Sequence, residues 1–63
     1  MEPTAKDVAE ALKKELGEDV FSQEDYEEMC GKDVGDAIGE AFTILIEQGI
    51  DPDEFLKEKG ITE

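Results

Sequence analysis

The groups in this chain that could do chemistry are almost all carboxylates: nineteen aspartates and glutamates against six lysines, with one cysteine, one tyrosine and no histidine in 63 residues. Without histidine, the side chain that most often moves protons near neutral pH is missing. Cys30 and Ser22 have no imidazole to activate them, so Ser22 reads as a helix cap and Cys30 as a small buried hydrophobe. Paired acids become a general acid and a general base only where a deep pocket pulls their pKa values apart, and so short a chain has little material to build one. No catalysis and no cofactor are expected. Asp51, Asp53 and Glu54 open like a calcium loop, but Phe55 and Leu56 stand where oxygen ligands and the turn glycine belong, so no metal site is expected either.

The charge is unevenly placed. Near the start, Glu2, Asp7 and Glu10 balance Lys6, Lys13 and Lys14, and near the end Glu58 and Glu63 balance Lys57 and Lys59. Between residues 15 and 54, fourteen acids face only Lys32, so this stretch carries the whole net charge of −13. Self-repulsion of that size costs stability. One explanation is solubility and helix-dipole capping, since Asp25, Asp36, Asp53 and Glu54 all fall in first turns. The other is a surface that attracts a basic partner protein, as an acidic inhibitor or a nucleic-acid mimic does.

The second explanation places the partner-binding residues at Glu24, Asp25, Glu27, Glu28, Asp36, Glu40 and Glu47, with Tyr26 as an anchor among them. Glu24 and Glu28, like Asp36 and Glu40, are four helical residues apart, which separates their attachment points by about 6 Å along the axis. Successive phosphates of a DNA strand are roughly 7 Å apart, so a nucleic-acid-binding protein is a partner such rows could satisfy. Direct binding of nucleic acid is not expected, because there is no basic patch and only Phe21, Tyr26, Phe42 and Phe55 could stack on bases.

Helices must hold these residues. Thr4 with Asp7 is a cap signal, after which Ala5, Val8, Ala9, Leu12 and Leu16 recur at helical spacing up to Gly17. Ser22 with Asp25 repeats it, with Phe21 and Tyr26 as a hydrophobic staple and Met29 continuing the apolar side. The third segment opens at or just before Asp33 and runs to Gln48, with Gly49 after it. Its apolar residues, from Val34 through Ala37, Ile38, Ala41, Phe42, Ile44 and Leu45 to Ile46, cover more than half its circumference, which predicts the central helix. The last has Ile50 as staple, Asp51 as cap, Pro52 in the first position, Glu54 closing a capping box, and Gly60 ending the helix so that Ile61 folds back. Thr62 and Glu63 are expected to fray. Asp19, Val20 and Phe21 read as a brief extended stretch.

The expected fold is all-α, a compact bundle of three to four short helices over about 4–16, 22–30, 33–48 and 51–59, forming one small acidic domain over residues 1–63. The core of so short a chain must be small, which makes self-association a reasonable expectation. Gly31, Gly35 and Gly39 recur every four residues; they read as room for a neighbouring helix inside the fold, with Gly31 in the preceding turn, or as the contact of a homodimer built on the third helix together with Ile46. In that second case the acidity serves only solubility. A single cysteine, no basic and apolar leader, and no apolar run of ~20 residues predict a cytoplasmic protein with no membrane segment. An acyl carrier role is not expected, because its phosphopantetheine serine stands between aspartate and leucine whereas Ser22 stands between Phe21 and Gln23.

Overall fold

The computed structural model describes residues 3–61; Glu2, Thr62 and Glu63, with their predicted charge balance and fraying, lie outside the described residues. Four helices follow one another, α1 (Ala5–Leu16), α2 (Gln23–Cys30), α3 (Val34–Glu47) and α4 (Pro52–Glu58), and there is no strand among the described residues. The sequence-derived ranges differ from these by a residue at the ends because they include the caps.

Local chemistry sets the boundaries. At α1 the Thr4 hydroxyl accepts the Asp7 N–H at 3.3 Å and the Asp7 carboxylate accepts the Thr4 N–H at 3.0 Å. At α2 Ser22 and Asp25 make the same reciprocal pair, both bonds 3.2 Å long. The Asp51 carboxylate accepts the N–H groups of Asp53 (3.0 Å) and Glu54 (3.4 Å), so it caps α4 alone and the predicted contribution of the Glu54 side chain is not needed. Two helices end in the same left-handed device. Gly49 has φ +76° and lets Ile50 N–H reach the Leu45 carbonyl at 2.9 Å, while Gly60 has φ +71° and lets Ile61 N–H reach the Leu56 carbonyl at 2.9 Å. A Cβ would oppose both conformations. The second device returns Ile61 to the core, where it is buried.

The stretch predicted as extended is instead a turn. Gly17 stops α1, and its carbonyl accepts the N–H groups of both Val20 (3.3 Å) and Phe21 (2.9 Å), which folds the chain back and delivers Phe21 into the core. Local hydrogen bonds to one carbonyl prevail there because no second strand exists among the described residues to pair with.

The principal packings are α1 on α2, α1 on α3, and α3 on α4. Helices α1 and α3 therefore share the centre, each packing on two other helices. Val8, Ala9 and Leu12 of α1 are wholly buried, whereas α3 buries Ala37, Ala41 and Leu45, leaves Ile38, Phe42 and Ile44 half-buried and exposes Val34 and Ile46. A four-helix chain of this size has too few partners to cover so wide an apolar surface as that of α3. Ala5, Phe21, Met29, Phe55, Leu56 and Ile61 complete the core, and no polar side chain is buried in it among the described residues. The Cα radius of gyration, 10.3 Å, is close to the ~10.6 Å expected for a collapsed chain of this length.

Of the two readings of the glycine spacing within the fold, Gly31 in the turn before the third helix holds and a closely approaching neighbour helix does not. Gly31 caps the end of α2, and nothing lies within 4 Å of where a Cβ would sit on Gly35 or Gly39. No neighbouring helix uses that space.

Candidate functional site

Because α2 and α3 each pack on α1 and not chiefly on one another, a cleft remains between them. It has a volume of about 270 Å³. Asp25 and Glu28 from α2 line one wall, and Glu40 and Glu47 from α3 line the other. Phe21 and Met29 form its buried floor, with Val20 from the α1–α2 turn and Ile44 beside them. Val20 is 40% exposed, a large aliphatic group left in water at the rim.

One cation already stands in the cleft. Lys32, in the short α2–α3 connection, places its ammonium 3.3 Å from the Glu40 carboxylate, with both side chains partly exposed to solvent. Such a pair contributes little to stability, on the order of 0–1 kcal/mol. Among the described residues Glu28 and Glu47 have no ion-pair partner, while the Asp25 carboxylate is held by the Ser22 N–H. No three acids among the described residues come close enough together to hold a metal ion, so the charge is spread along the walls.

The structure thus brings together four of the residues singled out in the sequence, Asp25, Glu28, Glu40 and Glu47, and leaves four outside. Glu24 and Asp36 are exposed and do not line the cleft. Glu27 is turned toward its own helix, accepting the Gln23 amide at 3.2 Å. Tyr26 lies elsewhere altogether. It is half-buried on the side of α2 that meets α1, with the Lys13 ammonium 5.1 Å from its ring centroid. Tyr26 lies about 100° round α2 from Asp25 and about 160° from Glu28, so its ring is directed to α1 and away from the acids of the cleft.

Tyr26 belongs instead to a shallow concavity of opposite character, lined by Lys6, Glu10, Lys13, Lys14 and Gln23. Lys13 Nζ also donates to Gln23 Oε1. Desolvation of the phenol, followed by the negative charges available at Cys30 and Glu10 and a hydrogen bond with Cys30, holds the Tyr26 pKa above the usual 10.0. The lysines are readable in the sequence, since Lys6 and Lys13 are seven residues apart on one helical face; the lining of the cleft is not, because Phe21, Met29 and Ile44 are brought to one concavity only by the fold of the chain.

No family model matches this chain, and neither the curated proteins nor the solved structures compared with it contain a match. No helix among the described residues is long and apolar enough to cross a membrane.

Proposed function

We propose that this is a non-enzymatic, cytoplasmic binding protein that uses the acidic α2–α3 cleft to occupy a basic surface of another protein, in the manner of an inhibitor or a nucleic-acid mimic. The observation that carries the reading is the convergence of carboxylates from two helices on one concavity with only Lys32 to oppose them. Concave walls of one sign focus the field and raise the local concentration of an oppositely charged partner. The free Cys30 suits a reducing compartment.

A fluorescent lysine peptide titrated into the full chain tests this. Raising salt from about 10 mM to about 1 M shortens the screening length from ~30 Å to ~3 Å, and the affinity is expected to fall steeply across that range. Affinity that does not respond to salt refutes the reading.

A second reading rests on α3. Ile46 is 62% exposed and shares a helical face with the bare Gly35 and Gly39, the kind of flat surface on which a second copy of α3 packs closely. In that case the protein is an assembly subunit. Sedimentation at micromolar concentration separates the two: a strict monomer eliminates the second.

A further inference from the structure

We infer that two copies of this chain pair antiparallel through the outer strip of α3, in a single register; the inference rests on the assembly reading above and gives it an orientation. At about 100° per residue, Gly35, Gly39, Phe42 and Ile46 fall within roughly 60° of one another round the helix. Gly35, Gly39 and Ile46 are exposed, Phe42 is half-buried at the edge of the strip, and a Cβ added at either glycine would meet nothing within 4 Å. The three charged residues of α3, Asp36, Glu40 and Glu47, all lie on one flank, about 90–130° from the middle of the strip. A chain of net charge −13 thus keeps one apolar strip free of charge, on a surface where carboxylates are otherwise dense.

A second copy covers this strip because the strip fits itself. When two such helices run antiparallel about a two-fold axis midway between residues 40 and 41, Ile46 stands level with Gly35 of the partner subunit and Phe42 with Gly39 of the partner subunit. Each large side chain then meets a place with no side chain, at both ends of the contact. A parallel pair would set Ile46 against its own copy at one end and leave a gap between glycines at the other. Charge favours the same arrangement. The two-fold axis keeps the acidic flanks of both helices on one side, and Glu40 is the acid nearest the axis. It is also the one acid of α3 that holds a cation among the described residues, the Lys32 ammonium 3.3 Å away. Two ion pairs, and not two bare carboxylates, therefore meet at the centre, while Asp36 and Glu47 lie toward the ends, where salt screens them.

The test is sedimentation of the full chain at micromolar concentration. Between about 10 mM and about 1 M salt the dimerisation constant is expected to rise at least about tenfold, the opposite of what a basic partner would show. At about 0.15 M salt, Gly35→Glu and Ile46→Lys are each expected to abolish the dimer alone, and an equimolar mixture of the two variants is expected to restore it, because the introduced glutamate and lysine then face one another across one end while the other end keeps its original contact. Monomers at every salt concentration overturn the inference and the assembly reading together. A dimer that survives either single change, or that the mixture fails to restore, overturns the strip or its antiparallel register and leaves the assembly reading standing. Amide shifts of the isotopically labelled wild-type chain on dilution need no variant: they are expected to centre on Gly35, Gly39, Phe42 and Ile46, and shifts centred elsewhere overturn the inference even where a variant fails to fold.

Discussion

Replacing Gly39 by alanine, alone and then with Gly35→Ala, asks what the glycine face of α3 is for. Both positions are exposed, both lie within the helix, and an added Cβ at either meets nothing within 4 Å. The only change inside the monomer is then the loss of backbone freedom in the unfolded chain, which makes alanine the more stable choice in a helix interior by roughly 0.5–1 kcal/mol. Gly39 is in mid-helix and should give most of that; Gly35, in the first turn, should give less. The pair is expected to add about 1–1.5 kcal/mol, or about 4–12 °C in Tm at the ~4–8 °C per kcal/mol of a domain this small. Thermal unfolding followed by far-ultraviolet circular dichroism, at two widely separated concentrations, reads the answer. A fall in Tm at both concentrations refutes the claim that the space is empty within one chain. A wild-type Tm that rises with concentration, and a loss of that rise in the double variant, identifies a second copy as the occupant and supports the assembly reading over the inhibitor one.

Leu12→Ala removes a wholly buried side chain from α1; the expected loss of about 2.7–5 kcal/mol is a large part of a total stability of roughly 3–9 kcal/mol, so the Tm by circular dichroism should fall by more than about 10 °C. Ser22→Ala breaks the reciprocal cap of α2 and should lower stability by about 1 kcal/mol in chemical denaturation, with an unchanged m-value. Tyr26 is the one tyrosine of the chain, so its phenolate absorbance gives its titration directly, with a midpoint expected above 10.0. The sign for stability follows: folded and unfolded chains both hold the phenolic proton below pH 10.0, and as pH climbs from there the unfolded chain releases it first, so stability is lost on the alkaline side. Tyr26→Phe should show a smaller alkaline fall in Tm. With a net charge of −13, the wild-type Tm should rise with salt as repulsion between carboxylates is screened; a falling Tm contradicts the self-repulsion argument.

The helices were legible because their signals are local. Thr4 with Asp7, Ser22 with Asp25, and Asp51 before Pro52 act within one turn of backbone, so the hydrogen bonds they make depend on nothing distant. The same holds for Gly49 and Gly60, whose left-handed turns close on carbonyls five residues back. The acidic site was legible in part: which residues carry charge is a matter of composition, and the division of α2 into an inward and an outward face is a matter of period. Tyr26 was misplaced because its proximity in sequence to Glu24, Glu27 and Glu28 says nothing about direction, and its ring turns to the lysines of α1.

What the amino-acid order determined by itself, then, is four helices, three of them opened by a side-chain cap, an all-α fold, and a central stretch of uncompensated negative charge. Tertiary structure alone decided that α1 shares the centre with α3, that α2 and α3 diverge enough to leave a cleft, and that Val20, Lys32 and Ile44 join Glu28 and Glu47 there. Caps and periods are set by neighbours within a few residues, whereas a cleft is the space left between helices that each bury their apolar face against a third, and no local pattern records where that space falls.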